Sequence, residues 1–248
     1  MLDSSADRSR LVMTDGSVEF SGLKALDGVS LTLEAGEILG LIGPNGSGKT
    51  TTINAITGQV PLASGEVRMG GRVISGLAPR QIALLGIARS FQMVRLFNNM
   101  TTLENVETAP LAHGQSRAAS REKARALLHE FGLERHADDL CGTLSYGDKR
   151  RVEIARALAA EPKFLFLDEP AAGMNQAETD ALLDILRALP AQRGLGLLII
   201  DHDMSLIMRL CDRLQVLSSG RTIAQGSADE VRTNHDVIEA YLGSGADD

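Results

Sequence analysis

Gly43-Pro44-Asn45-Gly46-Ser47-Gly48-Lys49-Thr50 is the stretch that decides the fold. It satisfies G-x-x-x-x-G-K-[ST], in which glycines let backbone N–H groups turn inward around phosphate oxygens. Lys49 is placed to reach the β- and γ-phosphates, and the Thr50 hydroxyl to ligate Mg²⁺. A continuous apolar run at residues 38–42 precedes the loop, as expected of a strand buried on both faces. A helix-like stretch at 50–57 follows and stops at Gly58, so the positive end of a helix also faces the phosphates. An ordinary glycine turn would lack that setting. The candidate nucleotide contacts are Gly43, Asn45, Gly46, Ser47, Gly48, Lys49, Thr50 and Thr51.

Downstream, Phe164-Leu165-Phe166-Leu167-Asp168-Glu169 is an apolar strand ending in two acids. Charges at the end of a buried strand are costly unless they serve a cation or a reaction. Asp168 is the candidate Mg²⁺ ligand and Glu169 the candidate base that polarises the attacking water. Alone, the pair would equally suit a helix N-cap; beside a phosphate loop it reads as catalysis.

The rest of the chain sets these motifs in an α/β order. Short β-type patterns occupy residues 11–14, 18–20, 26–33 and 65–69, with Gly70-Gly71 as a hairpin turn. Residues 92–160 read as mostly helical, and the basic residues in 120–129 as a solvated face. Strands are expected at 163–167, 195–200 and 214–218, and helices at 176–189, 204–210, 228–232 and 237–242. The fold class is therefore α/β: a P-loop NTPase with a mostly parallel core sheet, an antiparallel β edge and an inserted helical subdomain at about 92–160. No internal repeat is visible, so residues 1–248 are expected to be one nucleotide-binding domain.

Composition excludes several classes. A net charge of −7, 3% aromatics and no Trp argue against a nucleic-acid binder. No apolar run approaches the ~20 residues needed to span a bilayer; the longest, at 82–88 and 195–200, read as core elements. Residues 1–10 read as a polar leader without a signal peptide, so a membrane role requires a partner. Cys141 and Cys211 form no C-x-x-C and are expected as buried thiols.

Leu144-Ser145-Tyr146-Gly147-Asp148, followed by Lys149, Arg150, Arg151 and Arg156, resembles the signature loop of ABC-transporter ATPases, usually L-S-G-G-Q. The resemblance extends over nearly the whole chain. Gln92 in Ser90-Phe91-Gln92 matches that family's Q-loop, and His202 in Ile200-Asp201-His202-Asp203 its switch histidine. Phe20 sits where the family places an aromatic against adenine. Singly these are weak: most histidines only pack or solvate, and a Phe is an ordinary strand residue. Their order is the family's, and that is specific. Tyr146 and Asp148 depart from the signature pattern, and Ala172-Gly173-Met174-Asn175 replaces the family's S-A-L-D.

The resemblance implies ATP hydrolysis with Mg²⁺ held by Thr50, Gln92 and Asp168, and with Glu169, His202 and Gln92 as catalytic residues. Ser145 and Gly147 would serve the nucleotide of a second cassette. Leu-Ser-Tyr-Gly, Pro-Ala-Ala-Gly-Met-Asn, Asp-His-Asp-Met and the ending Val237-Ile238-Glu239-Ala240-Tyr241-Leu242-Gly243 are similar to the cassettes of branched-chain amino-acid importers. Lipopolysaccharide-export cassettes and urea or amide importers share parts of this pattern; a translation or repair ABC ATPase is the non-transport alternative. The partners implied are transmembrane permease subunits and a second cassette, either a related chain or another copy. For an importer an extracytoplasmic binding protein is implied indirectly, and the place is the cytoplasmic face of the inner membrane. Met93, Val94, Leu96, Phe97 and Met100 either pack internally or line a groove for a partner helix; at least two are expected in the groove.

Overall fold

A computed structural model describes residues 10–243, so the expected polar leader lies, apart from Arg10, outside the described residues. The chain begins with a hairpin, β1 (Arg10–Phe20) and β2 (Leu23–Glu34), turning at Ser21 and Gly22. The separate patterns at 11–14 and 18–20 are one strand, because register shifts between Met13 and Glu19 absorb the break in alternation. Then come β3 (Ile38–Ile42), α1 (Lys49–Ile56), β4 (Ser64–Met69) and β5 (Arg72–Val73). After α2 (Pro79–Leu84) and β6 (Ile87–Arg89) lie three helices, α3 (Thr102–Ala112), α4 (Arg117–Glu130) and α5 (Tyr146–Ala159). The last third is β7 (Phe164–Asp168), α6 (Gln176–Arg193), β8 (Gly196–Ile200), α7 (Met204–Leu210), β9 (Arg213–Ser218), β10 (Arg221–Gly226), α8 (Ala228–Thr233) and α9 (His235–Gly243).

Two sheets result. An antiparallel sheet has the order β2-β1-β4-β5, and a six-stranded sheet the order β10-β9-β3-β8-β7-β6. In the second, every pair from β9 to β6 is parallel and only β10 runs antiparallel, at the edge. The apolar runs of β3, β7 and β8 are buried at every residue because each strand serves two cores. Ile38, Ile42, Leu165, Leu167, Leu197 and Ile199 join the core that includes α5 and α6. Leu39, Leu41, Phe164, Phe166, Leu198 and Ile200 join the core shared with α1 and the antiparallel sheet. At about 1.5–3 kcal/mol for each large apolar side chain buried, these strands anchor both layers.

Several sequence expectations need correction. The apolar run at 82–88 is divided between α2, a turn and β6. Residues 91–100 are irregular rather than helical; the first helix of that region starts where Thr101 caps Glu104 N–H. α6 continues past 189 through Pro190 to Arg193 and ends at Gly194. Cys141 is buried as expected, but Cys211 is only half-buried. Its sulfur nonetheless packs close to Gly40, and burial pushes the thiol up to about 12.

Candidate active site

Parallel strands end on one side, and ligands of such sheets bind beyond their carboxyl ends. β3, β8, β7 and β6 are consecutive neighbours, so the segments after them leave the same edge. They carry the glycine-rich loop, His202, Glu169 and Gln92 respectively.

The loop from Gly43 to Gly48 ends with Lys49 opening α1. Gly43 has φ 145°, and a Cβ there would lie 2.0 Å from the Leu217 carbonyl oxygen, so no side chain fits. Asn45 and Gly46 are exposed, while Ser47 is buried and its N–H closes a turn on the Pro44 carbonyl at 3.2 Å. Lys49 Nζ lies across the loop, donating to the carbonyls of Gly43 (2.7 Å) and Pro44 (2.9 Å). Burial lowers the Lys49 pKa, against the opposing pull of the Asp168 and Glu169 carboxylates. Thr50 is exposed and Thr51 half-buried in the first turn of α1.

At the end of β7, Asp168 is 5% exposed and its N–H donates to Ser90 Oγ at 3.1 Å. Burial pushes its carboxyl up, Glu169 adds to that, and Arg89, Arg150 and Lys49 oppose. Glu169 has φ 49°, a left-handed conformation costly for a residue with a Cβ, and its N–H donates to the Ile200 carbonyl at 2.8 Å. This pairing turns the residue after β7 toward the end of β8. There His202 Nδ1 lies 3.3 Å from Glu169 Oε1. The oxygen donors among these residues suit a hard cation such as Mg²⁺.

Gln92 is exposed just beyond β6. Phe20 is 48% exposed at the tip of the β1–β2 hairpin. The β2 arm of that hairpin abuts the loop: a Cβ on Gly48 would lie 2.9 Å from the Ala25 carbonyl oxygen. Ser145 and Gly147 lie elsewhere, at the start of α5. Ser145 caps that helix, accepting from Asp148 N–H (3.1 Å) and donating to the Asp148 carboxylate (2.8 Å). Gly147 faces the Glu178 carboxylate of α6.

A family model described as ABC transporter matches residues 26–172. The chain belongs to the ABC transporter family. It is that family's ATP-hydrolysing cassette. A second model, for branched-chain amino acid ATP-binding cassette transporters, matches residues 221–247 of the cassette. The cassette is 41% identical over 243 residues to the high-affinity branched-chain amino acid transport ATP-binding protein LivG of Salmonella typhimurium, covering 91% of this chain and 94% of the relative. It is 38% identical over 227 residues to the lipopolysaccharide export system ATP-binding protein LptB of Escherichia coli, covering 90% and 93%. Among solved structures, the ADP conformation of MJ1267, an ATP-binding cassette of an ABC transporter, has a TM-score of 0.85 at 33% identity, covering 95% of this chain and 99% of that one. The dimeric post-hydrolysis state of the cassette MJ0796 bound to ADP and Pi has a TM-score of 0.80 at 26% identity, covering 88% and 98%.

Sequence reasoning passed over three side chains that shape the cassette's site. Ser90 is buried and holds the Asp168 N–H. Arg89 donates to Asn54 Oδ1 at 2.7 Å and packs on the Phe91 ring, 4.6 Å from its centre. Asp201, buried at 5% exposure, accepts from the Asp203 N–H at 2.9 Å ahead of α7. Ser90 and Asp201 stand in the sequence only as flanks of the Gln92 and His202 motifs, and the hydrophobic-to-acid switch after β8 was a further signal for Asp201; no motif marks Arg89.

Proposed function

We propose that this cassette drives import of branched-chain or related amino acids, and that its residues divide the work as follows. The loop amides and Lys49 bind the triphosphate, with Phe20 against the adenine. Thr50, Asp168 and Gln92 hold Mg²⁺, which supplies charge neutralisation at the phosphates. Glu169 takes a proton from the attacking water, and His202 stabilises charge on the γ-phosphate. The carrying observation is the contact of His202 with Glu169 at the sheet edge shared by Lys49 and Asp168. Ser145 and Gly147, displaced from that edge, serve the nucleotide of a second cassette, so one cassette alone hydrolyses poorly.

Among the described residues no helix is long and apolar enough to cross a membrane; on this reading force passes through a permease partner. A groove of about 700 Å³ lies between β6, α3, α5 and the 91–100 segment. Leu96, Phe97, Ala109 and Ala157 line it, together with the charged Arg89 and Arg156. Met93 is 77% exposed and does not line it. This groove is the proposed seat of a permease helix at the cytoplasmic face of the membrane, and residues 92–160 the proposed helical subdomain of a single domain. An extracytoplasmic binding protein would act only through the permease.

The lipopolysaccharide-export reading is the alternative, supported by the likeness to LptB. The match of residues 221–247 favours amino acids. Reconstitution with permease subunits of each type decides between them. ATP-dependent accumulation of labelled leucine supports the import reading. Assembly with lipopolysaccharide-export subunits alone, without leucine uptake, rejects it.

A further inference from the structure

Residues 91–95 form no helix or strand, yet their backbone is held by side chains of α5. Arg150 donates from Nη1 to the Phe91 carbonyl (2.5 Å) and from Nη2 to the Gln92 carbonyl (2.9 Å). Glu153 accepts from the Arg95 N–H (3.1 Å) with one oxygen and from Arg150 Nη1 (2.8 Å) with the other. Arg156 reaches the Arg95 carbonyl. Spacing by three puts these side chains on one helix face. Arg150 is wholly buried and Glu153 is 2% exposed. A buried ion pair is a poor source of stability, because desolvation offsets its attraction. What this one supplies is a fixed link between two segments. Its neighbours in the basic run do other work: Lys149 donates to the Gly142 carbonyl, and Arg151 pairs with Asp148.

We propose that Arg150, with Glu153 as its counter-charge, is a positioning residue. It ties the Gln92 main chain to the helix whose start carries Ser145 and Gly147, so that Gln92 and the signature residues move as one body. Only the root of Gln92 is fixed, since its side chain is exposed. The same segment continues into Leu96 and Phe97, so pressure in the groove reaches Gln92 through α5. The proposal rests on the reading of Gln92 as a metal and γ-phosphate contact.

The test uses the full chain for nucleotide binding and the assembled transporter for turnover, with Arg150→Met, Arg150→Lys, Gln92→Ala and the Gln92→Ala/Arg150→Met double variant. Arg150→Met should bind a labelled ATP analogue within about threefold of wild type without Mg²⁺, but lose about tenfold in kcat and need more Mg²⁺ for half-saturation. Arg150→Lys should fall between, because one ammonium lacks the fork that serves both carbonyls. The double variant should be no slower than Gln92→Ala, since residues acting through one another are not additive. Additive losses, or wild-type kcat and Mg²⁺ dependence in a folded Arg150→Met, overturn the proposal. If Arg150→Met does not fold, Arg150→Lys with unchanged Mg²⁺ dependence overturns it. If Gln92→Ala alone changes neither kcat nor Mg²⁺ dependence, the reading of Gln92 fails and the proposal falls with it.

Discussion

His202 Nδ1 and Glu169 Oε1 stand 3.3 Å apart, although they follow different strands, β8 and β7. The pair is built by backbone: the Glu169 N–H on the Ile200 carbonyl fixes the direction in which the acid leaves the sheet. Glu169→Gln keeps the shape and a contact to His202 but removes the base. ATP affinity should change little, while turnover of the assembled transporter falls by about 10²–10⁴. Single-turnover hydrolysis of labelled ATP measures this, and near wild-type turnover rejects Glu169 as the base.

Lys49 should dominate binding rather than fold. Its ammonium is half-buried and satisfied by two loop carbonyls. Lys49→Ala should weaken ATP binding by about 10–100-fold, the scale of a lost charge-assisted contact. Equilibrium titration with a fluorescent ATP analogue checks it, with circular dichroism confirming the fold; unchanged affinity would refute the contact.

Tyr146, opening α5, and Gly173, in the turn before α6, are matched. A Cβ on Gly173 would lie 2.9 Å from Tyr146 Cδ1, and Gly173 also has φ 74°. Gly173→Ala should therefore destabilise by about 1–2 kcal/mol from the backbone alone, and more from the ring. Adding Tyr146→Ala should recover only the ring's share. Denaturant melts of the two single variants and the double form the cycle; strict additivity would show that ring and glycine do not interact.

Asp201 sets a pH dependence. Burial, the largest cause, raises its pKa above the ordinary 3.8, and Glu169 adds to this. A carboxyl whose pKa is raised by folding favours the folded state fully only below the ordinary value. That contribution is lost as pH rises through the raised one. Asp201→Asn keeps an acceptor for the Asp203 N–H and removes the charge. The nucleotide-free variant should melt a few degrees higher than wild type at neutral pH, at about 2–4 °C per kcal/mol. The difference should vanish toward pH 3.8. An equal or lower melting point at neutral pH would contradict this.

What could be read in advance followed from burial on two faces. β3, β7 and β8 are unbroken apolar runs because both faces meet a core, and their ends locate the glycine loop, the acid pair and His202. β6, at three residues, is too short to show a period. β10 is only part-buried, so it has no apolar run. Arg150 was hidden for a different reason. In sequence it is one of three consecutive cations, indistinguishable from Lys149 and Arg151, and the Phe91 and Gln92 carbonyls together with the Glu153 carboxylate make its burial possible. Irregularity at 91–100, inside a region that reads as mostly helical, has no local sequence signal, because the Arg95 and Phe97 N–H groups go to the distant side chains of Glu153 and Asn105.

The left-handed backbone of Glu169 sets stability against turnover at a single codon. Glycine pays no Cβ penalty at such a φ, and asparagine pays less than most residues. A library of position 169 sorted only for thermal resistance should drift toward those two, yielding hardier chains that have lost the carboxylate. The same library sorted for growth on imported substrate should return to glutamate. Enrichment ratios from the two sorts would thus report, at one residue, how much conformational strain this lineage tolerates to keep its chemistry.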